Sequence, residues 1–166
     1  MNECADVLRI GPAASASILE LVRRYGVELA FQAPGENLRG SYWGDSEAGL
    51  RANVLYVRAD TPLHSLLHEL SHYVCMSAQR RAGLDRDAGG DDAEECAVCF
   101  LQIVLSDEIA GFGRDRMLAD MDAWGYTFRL GSARAWFEQD AADACIWLRG
   151  NGVIDEANRP TYTLKS

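Results

Sequence analysis

Residues 68–72 read His-Glu-Leu-Ser-His inside the stretch 61–75, whose apolar residues recur at helical spacing. On a helix, residues four apart lie on one face about one turn apart. Both imidazoles can therefore reach a single cation while Glu69 stands beside a water that the cation activates. On a wheel of about 100° per residue, Leu63, Leu66, Leu67, Leu70, Tyr73 and Val74 form an apolar stripe, and His64, His68, Ser71, His72 and Cys75 fall on the other side. This one segment demands a buried helix with a polar back, and it points to zinc as the metal, His68 and His72 as ligands, and Glu69 as a general base.

A catalytic zinc ion keeps three protein ligands and leaves a fourth position for water, so the chain must supply one more group. His64 lies two turns from His72, about 12 Å along the axis, too far for both to share an ion with bonds of about 2 Å. It reads instead as a rim residue, a substrate contact or a surface histidine. The segment 91–102 offers Glu94 and Glu95 at the start of a second helix. Glu95 shares an arc with Cys99 and Gln102, whereas Glu94 falls with Val98, Leu101 and Leu105, on a side that must be buried. An inward carboxylate needs a cationic partner, which favours Glu94 as third ligand with Glu95 as its competitor. The alternative for both is an acidic cap on the helix N-terminus, the role that Asp91 and Asp92 suit. Cys96 and Cys99 form a CxxC and Cys75 follows His72 by one turn, but within continuous helices such cysteines read as packing groups.

The 166-residue chain has 25 acidic against 16 basic residues and a pI near 4.7. That balance argues against phosphate backbones and anionic membranes as partners, and for a peptide, protein or small molecule. Five cysteines without regular spacing, no signal-like start and no long apolar run imply a soluble, cytoplasmic protein with reduced thiols.

Elsewhere, 14–27 reads as a helix, and 27–31, 40–44 and 53–58 as short strands of an antiparallel sheet. The motif helix should run to about 79, the second helix from 93 to 109, and further helices over 114–124 and 132–149. The expected class is α+β, a single domain over 1–166 with its metal-site core at 53–107 and a helical C-terminal part at 113–150. The small sheet lies on the HExxH helix, and the later helices enclose the site. The strand 53–58 is the candidate edge for an extended peptide substrate. Tyr42, Tyr126, Arg129 and His64 are candidates to steady an oxyanion, and an aspartate of 120–122 could orient a ligand histidine.

The two helices together resemble the ImmA/IrrE family of zinc peptidases, whose pattern is a strand, an HExxH helix and a following helix of the form Glu-x-x-Ala-Asn-x-Phe-Ala. Glu94, Ala97 and Phe100 fit that pattern, while Val98 replaces its asparagine. The resemblance implies His68, His72 and Glu94 as ligands, Glu69 as base and a regulatory protein as target. The expected activity is zinc-dependent hydrolysis of a peptide bond. The alternative is a non-catalytic regulatory or binding protein that keeps a zincin-like fold, and a metal-free helical scaffold is a third reading.

Overall fold

A computed structural model describes residues 5–41, 47–85 and 88–166. Among them the class is α+β, with seven α-helices, one 3-10 turn and a three-stranded sheet. The helices are α1 (Ala16–Arg24), α2 (Leu63–Cys75), α3 (Ala78–Ala82), α4 (Asp92–Ser106), α5 (Arg114–Trp124), α6 (Ala133–Gln139) and α7 (Ala142–Gly150). The strands are β1 (Glu28–Phe31), β2 (Gly49–Arg51) and β3 (Val54–Val57).

The sheet is mixed, not antiparallel, in the order β1-β3-β2. β2 and β3 form a hairpin across Ala52 and Asn53, with Ala52 in the left-handed region (φ 51°) that such two-residue turns demand. β1 pairs parallel to β3, Glu28 opposite Val54 and Phe31 opposite Val57. The chain between them is long enough for the crossover that a parallel pair requires. The expected substrate edge at 53–58 is therefore the central strand, its backbone committed on both sides. The expected strand at 40–44 falls largely outside the described residues, and Gly40 and Ser41 lie in no strand.

Leu50, Leu55 and Val57 of the sheet and Leu66, Leu67, Leu70 and Val74 of α2 are completely buried in the main core. At about 1.5–3 kcal/mol for each large apolar side chain, this stripe outweighs any pull of the polar face toward water and fixes the rotation of α2. Pro62 precedes the first turn of α2, where its missing N–H costs nothing. The helix stops four residues before the expected end. Met76 turns to extended backbone, and the Ser77 hydroxyl accepts from the Arg80 amide to start α3.

The carbonyls at the end of α2 are taken up by neighbours. The Arg81 guanidinium donates to the Tyr73 and Met76 carbonyls and to that of Lys165, and the Lys165 amide donates to the Val74 carbonyl at 2.9 Å. α4 packs closely on α2 and, on its other flank, on α7. Asp91 caps α4 by accepting from the Glu94 amide at 2.9 Å. The single helix expected over 132–149 is two, α6 and α7, parted at Asp140 and Ala141. No helix among the described residues is long and apolar enough to cross a membrane.

Candidate metal centre

The rotation imposed on α2 sends His68 and His72 toward α4, where their Nε2 atoms stand 3.1 Å apart. His68 is half-buried and His72 buried. Burial pushes the His72 imidazole down to about 2, with the neighbouring His68 and the positive charge of Arg80 adding to the shift. Burial also lowers His68, against its hydrogen bond to Gln102 and the charge of Glu95. Both rings are thus neutral near pH 7 and each keeps one nitrogen lone pair.

The carboxylate that joins them is Glu95, not the favoured Glu94. Oε2 of Glu95 lies 3.6 Å from His72 Nε2, and donor atoms of His68, His72 and Glu95 all fall within 4.8 Å of one another. The Gly90 amide donates to Oε1 of Glu95 at 3.1 Å. Glu94 faces inward as its wheel position requires and does have a cationic partner, but that cation is the Arg80 guanidinium. Nη1 of Arg80 donates to both Glu94 oxygens at 2.9 and 2.7 Å, and Nη2 donates to the Ala88 and Gly89 carbonyls. Gly90 leaves room for this clamp: a Cβ there would sit 2.4 Å from the Glu94 carboxylate and push it aside.

His64 is wholly buried, which corrects its reading as a rim or surface residue. Its ring packs against Trp124 at 5.0 Å and edge-on against Tyr126 at 5.4 Å, and Nδ1 is 3.1 Å from the Tyr126 hydroxyl. Burial takes this imidazole down to about 3, helped by His68 and Arg9. Tyr126 reaches the site, its ring 5.9 Å from that of His68, and burial raises its phenol so that it stays protonated. Arg129 instead pairs with Asp140 at 2.8 Å on the exposed side, and Tyr42 lies outside the described residues.

The aspartates of 120–122 do not orient a histidine. Asp120 accepts from the Leu8 amide and from Arg116, and Asp122 accepts from the Ala133 amide. The group that meets a site histidine is Gln102, its Oε1 2.6 Å from His68 Nδ1. Its place on the Glu95–Cys99–Gln102 arc was the available sequence signal. Cys75, Cys96 and Cys99 are free thiols outside the three-residue cluster.

The three donors lie close enough together to hold one metal ion. Bonds of about 2.0 Å subtend the 3.1 Å nitrogen pair at about 100° and the 3.6 Å nitrogen–oxygen pair at about 125°, on either side of the tetrahedral angle of about 110°. Two imidazoles from α2 and a carboxylate from α4 lie close enough to hold one cation, and Glu69, half-buried, follows His68 directly in the sequence. No family model matches the chain, and no curated protein or solved structure matches it.

Proposed function

We propose that this protein is a zinc-dependent peptidase of zincin-like fold, with His68, His72 and Glu95 holding the ion and Glu69 serving as general base. The reading rests on one observation above all. Two Nε2 atoms stand 3.1 Å apart and a carboxylate oxygen lies 3.6 Å from that of His72, at the one place where the chain also carries HExxH spacing. Zinc, when bound, supplies Lewis-acid polarisation of a carbonyl and lowers the pKa of water to near neutrality.

The chain's own residues do the rest. Glu69 accepts the proton of the attacking water and returns it to the leaving amine. Burial keeps the two imidazoles from competing for that proton. The Gly90 amide holds Oε1 of Glu95 so that Oε2 stays turned to the histidines. Tyr126, a neutral phenol beside His68, can donate a hydrogen bond to developing negative charge. The likeness of 53–107 to ImmA/IrrE peptidases supports a regulatory protein as substrate, with the carboxylate ligand one residue later than that family's register.

Metal analysis of purified protein and a Glu69→Gln variant test the proposal. About one zinc per chain is expected in both, with peptide cleavage lost in the variant. Absence of zinc from the wild type rejects the metal site. Full biological activity in the variant rejects the peptidase and leaves a zinc-holding protein that binds without cutting.

A further inference from the structure

The side-chain amide of Gln102 has only one orientation open to it. It is completely buried between α2 and α5, and one end lies 3.3 Å from the His64 carbonyl and 3.7 Å from the Met117 sulfur. Neither of those atoms carries a proton, so the end facing them must be the NH2. The oxygen is then fixed on the opposite side, 2.6 Å from His68 Nδ1. A carbonyl oxygen can only accept. Nδ1 must therefore carry the hydrogen, and in a neutral imidazole that leaves Nε2 as a bare lone pair, directed at His72 Nε2 and the Glu95 side of the site.

We infer that Gln102 is a positioning residue that locks His68 in its Nδ1–H tautomer and so presents Nε2, and only Nε2, to a metal ion. This deepens the zinc-site reading and rests on it for its functional consequence, though not for the tautomer itself. The reverse tautomer would leave two lone pairs, on Nδ1 and Oε1, facing each other at 2.6 Å beside a completely buried side chain. The amide cannot turn over to relieve this, because its oxygen would then face the His64 carbonyl. His72 has no such guide. Its Nδ1 is buried with no hydrogen-bond partner among the described residues, and its Nε2 faces the bare Nε2 of His68 at 3.1 Å, so in the metal-free protein His72 carries its proton on Nε2 and must move it to Nδ1 to bind a metal, whereas His68 is already in its ligating form.

The role differs from packing in what it controls. A filler at 102 needs only volume, whereas this one needs an acceptor oxygen opposite Nδ1. Gln102→Met keeps the length and removes the oxygen; Gln102→Glu keeps an oxygen there and, as a buried neutral acid, can still donate to the His64 carbonyl.

Long-range proton–nitrogen correlation spectra of the metal-free protein read the tautomer directly, and with three histidines in the chain the assignment is short. The expected result is a single Nδ1–H form for His68 in the wild type and a mixture in Gln102→Met. Zinc affinity, measured by competition with a chromophoric chelator, should fall about 10- to 100-fold in Gln102→Met and stay within about tenfold of wild type in Gln102→Glu. An Nε2–H form in the wild type overturns the inference, as does a folded Gln102→Met that binds zinc with wild-type affinity. Should Gln102→Met fail to fold, the wild-type spectrum and the Gln102→Glu affinity decide. A wild type that takes up no zinc at all rejects the metal site, and the tautomer alone then settles the role of Gln102.

Discussion

Exchanging one oxygen for nitrogen at two adjacent positions, Glu94→Gln and Glu95→Gln, separates a ligand from a clamp. Oε2 of Glu95 is 3.6 Å from His72 Nε2, while both oxygens of Glu94 are spent on Arg80 at 2.7 and 2.9 Å. Zinc binding by small protein sites is worth on the order of 10 kcal/mol, so one ligand of three carries about 3 kcal/mol, or more than a hundredfold in affinity. Glu95→Gln should lose that much zinc affinity with little change in stability of the metal-free protein. Glu94→Gln sets an amide NH2 against the guanidinium of a pair that is buried on the glutamate side and 38% exposed on the arginine side. Half-screened, such a break costs about 1–3 kcal/mol of stability and no more than about tenfold in zinc affinity, through a loosened start of α4. Chelator competition gives the affinities and urea melts of the metal-free variants give the stabilities. If Glu94→Gln abolishes zinc binding while Glu95→Gln keeps it, the assignment of the third ligand is wrong and the register of the ImmA/IrrE-like pattern is right.

Gly90→Ala should phenocopy Glu94→Gln, because the added Cβ lies 2.4 Å from that carboxylate; a melt unchanged from wild type would contradict the clamp. Leu55→Pro should prevent folding rather than merely weaken peptide turnover, since β3 is bonded on both sides, and a native circular dichroism spectrum would refute that placement. The metal-free protein should lose stability as pH falls below about 6.5. His64 and His72 titrate near that value when unfolded but near 3 and 2 in the fold, so between these limits the unfolded chain alone takes up protons. Each contributes a slope approaching about 1.4 kcal/mol per pH unit. Denaturation at pH 7.5 and 5.5 checks the sign, and a rise in stability toward acid would exclude buried neutral rings.

The helix that carries the motif was legible because its apolar stripe and its histidines disagree in polarity, and folding resolves that conflict in only one rotation. The burial of Glu94 was legible for the same reason. Its partner was not: Arg80 belongs to α3, which exists because Ser77 caps a second start where periodicity alone continues one helix. A wheel ranks residues by direction within one helix and carries nothing about which cation waits opposite, so it preferred the inward glutamate to the one that meets the histidines. The parallel pairing of β1 was hidden because short strands advertise turns, not crossovers. His64 was hidden because what covers it, Trp124 and Tyr126, arrives some sixty residues later in the chain.

Arg80 and Arg81 are sequence neighbours on a five-residue helix, yet one grips the beginning of α4 and the other the end of α2. The bracket they make ties the end of α2 to the start of α4, the two helices that carry His68, His72 and Glu95. In the proposed metal site, preference for one ionic radius over another would be owned in part by side chains that never touch the ion. Selection for a different metal could act on α3 first and leave every coordinating atom as it is.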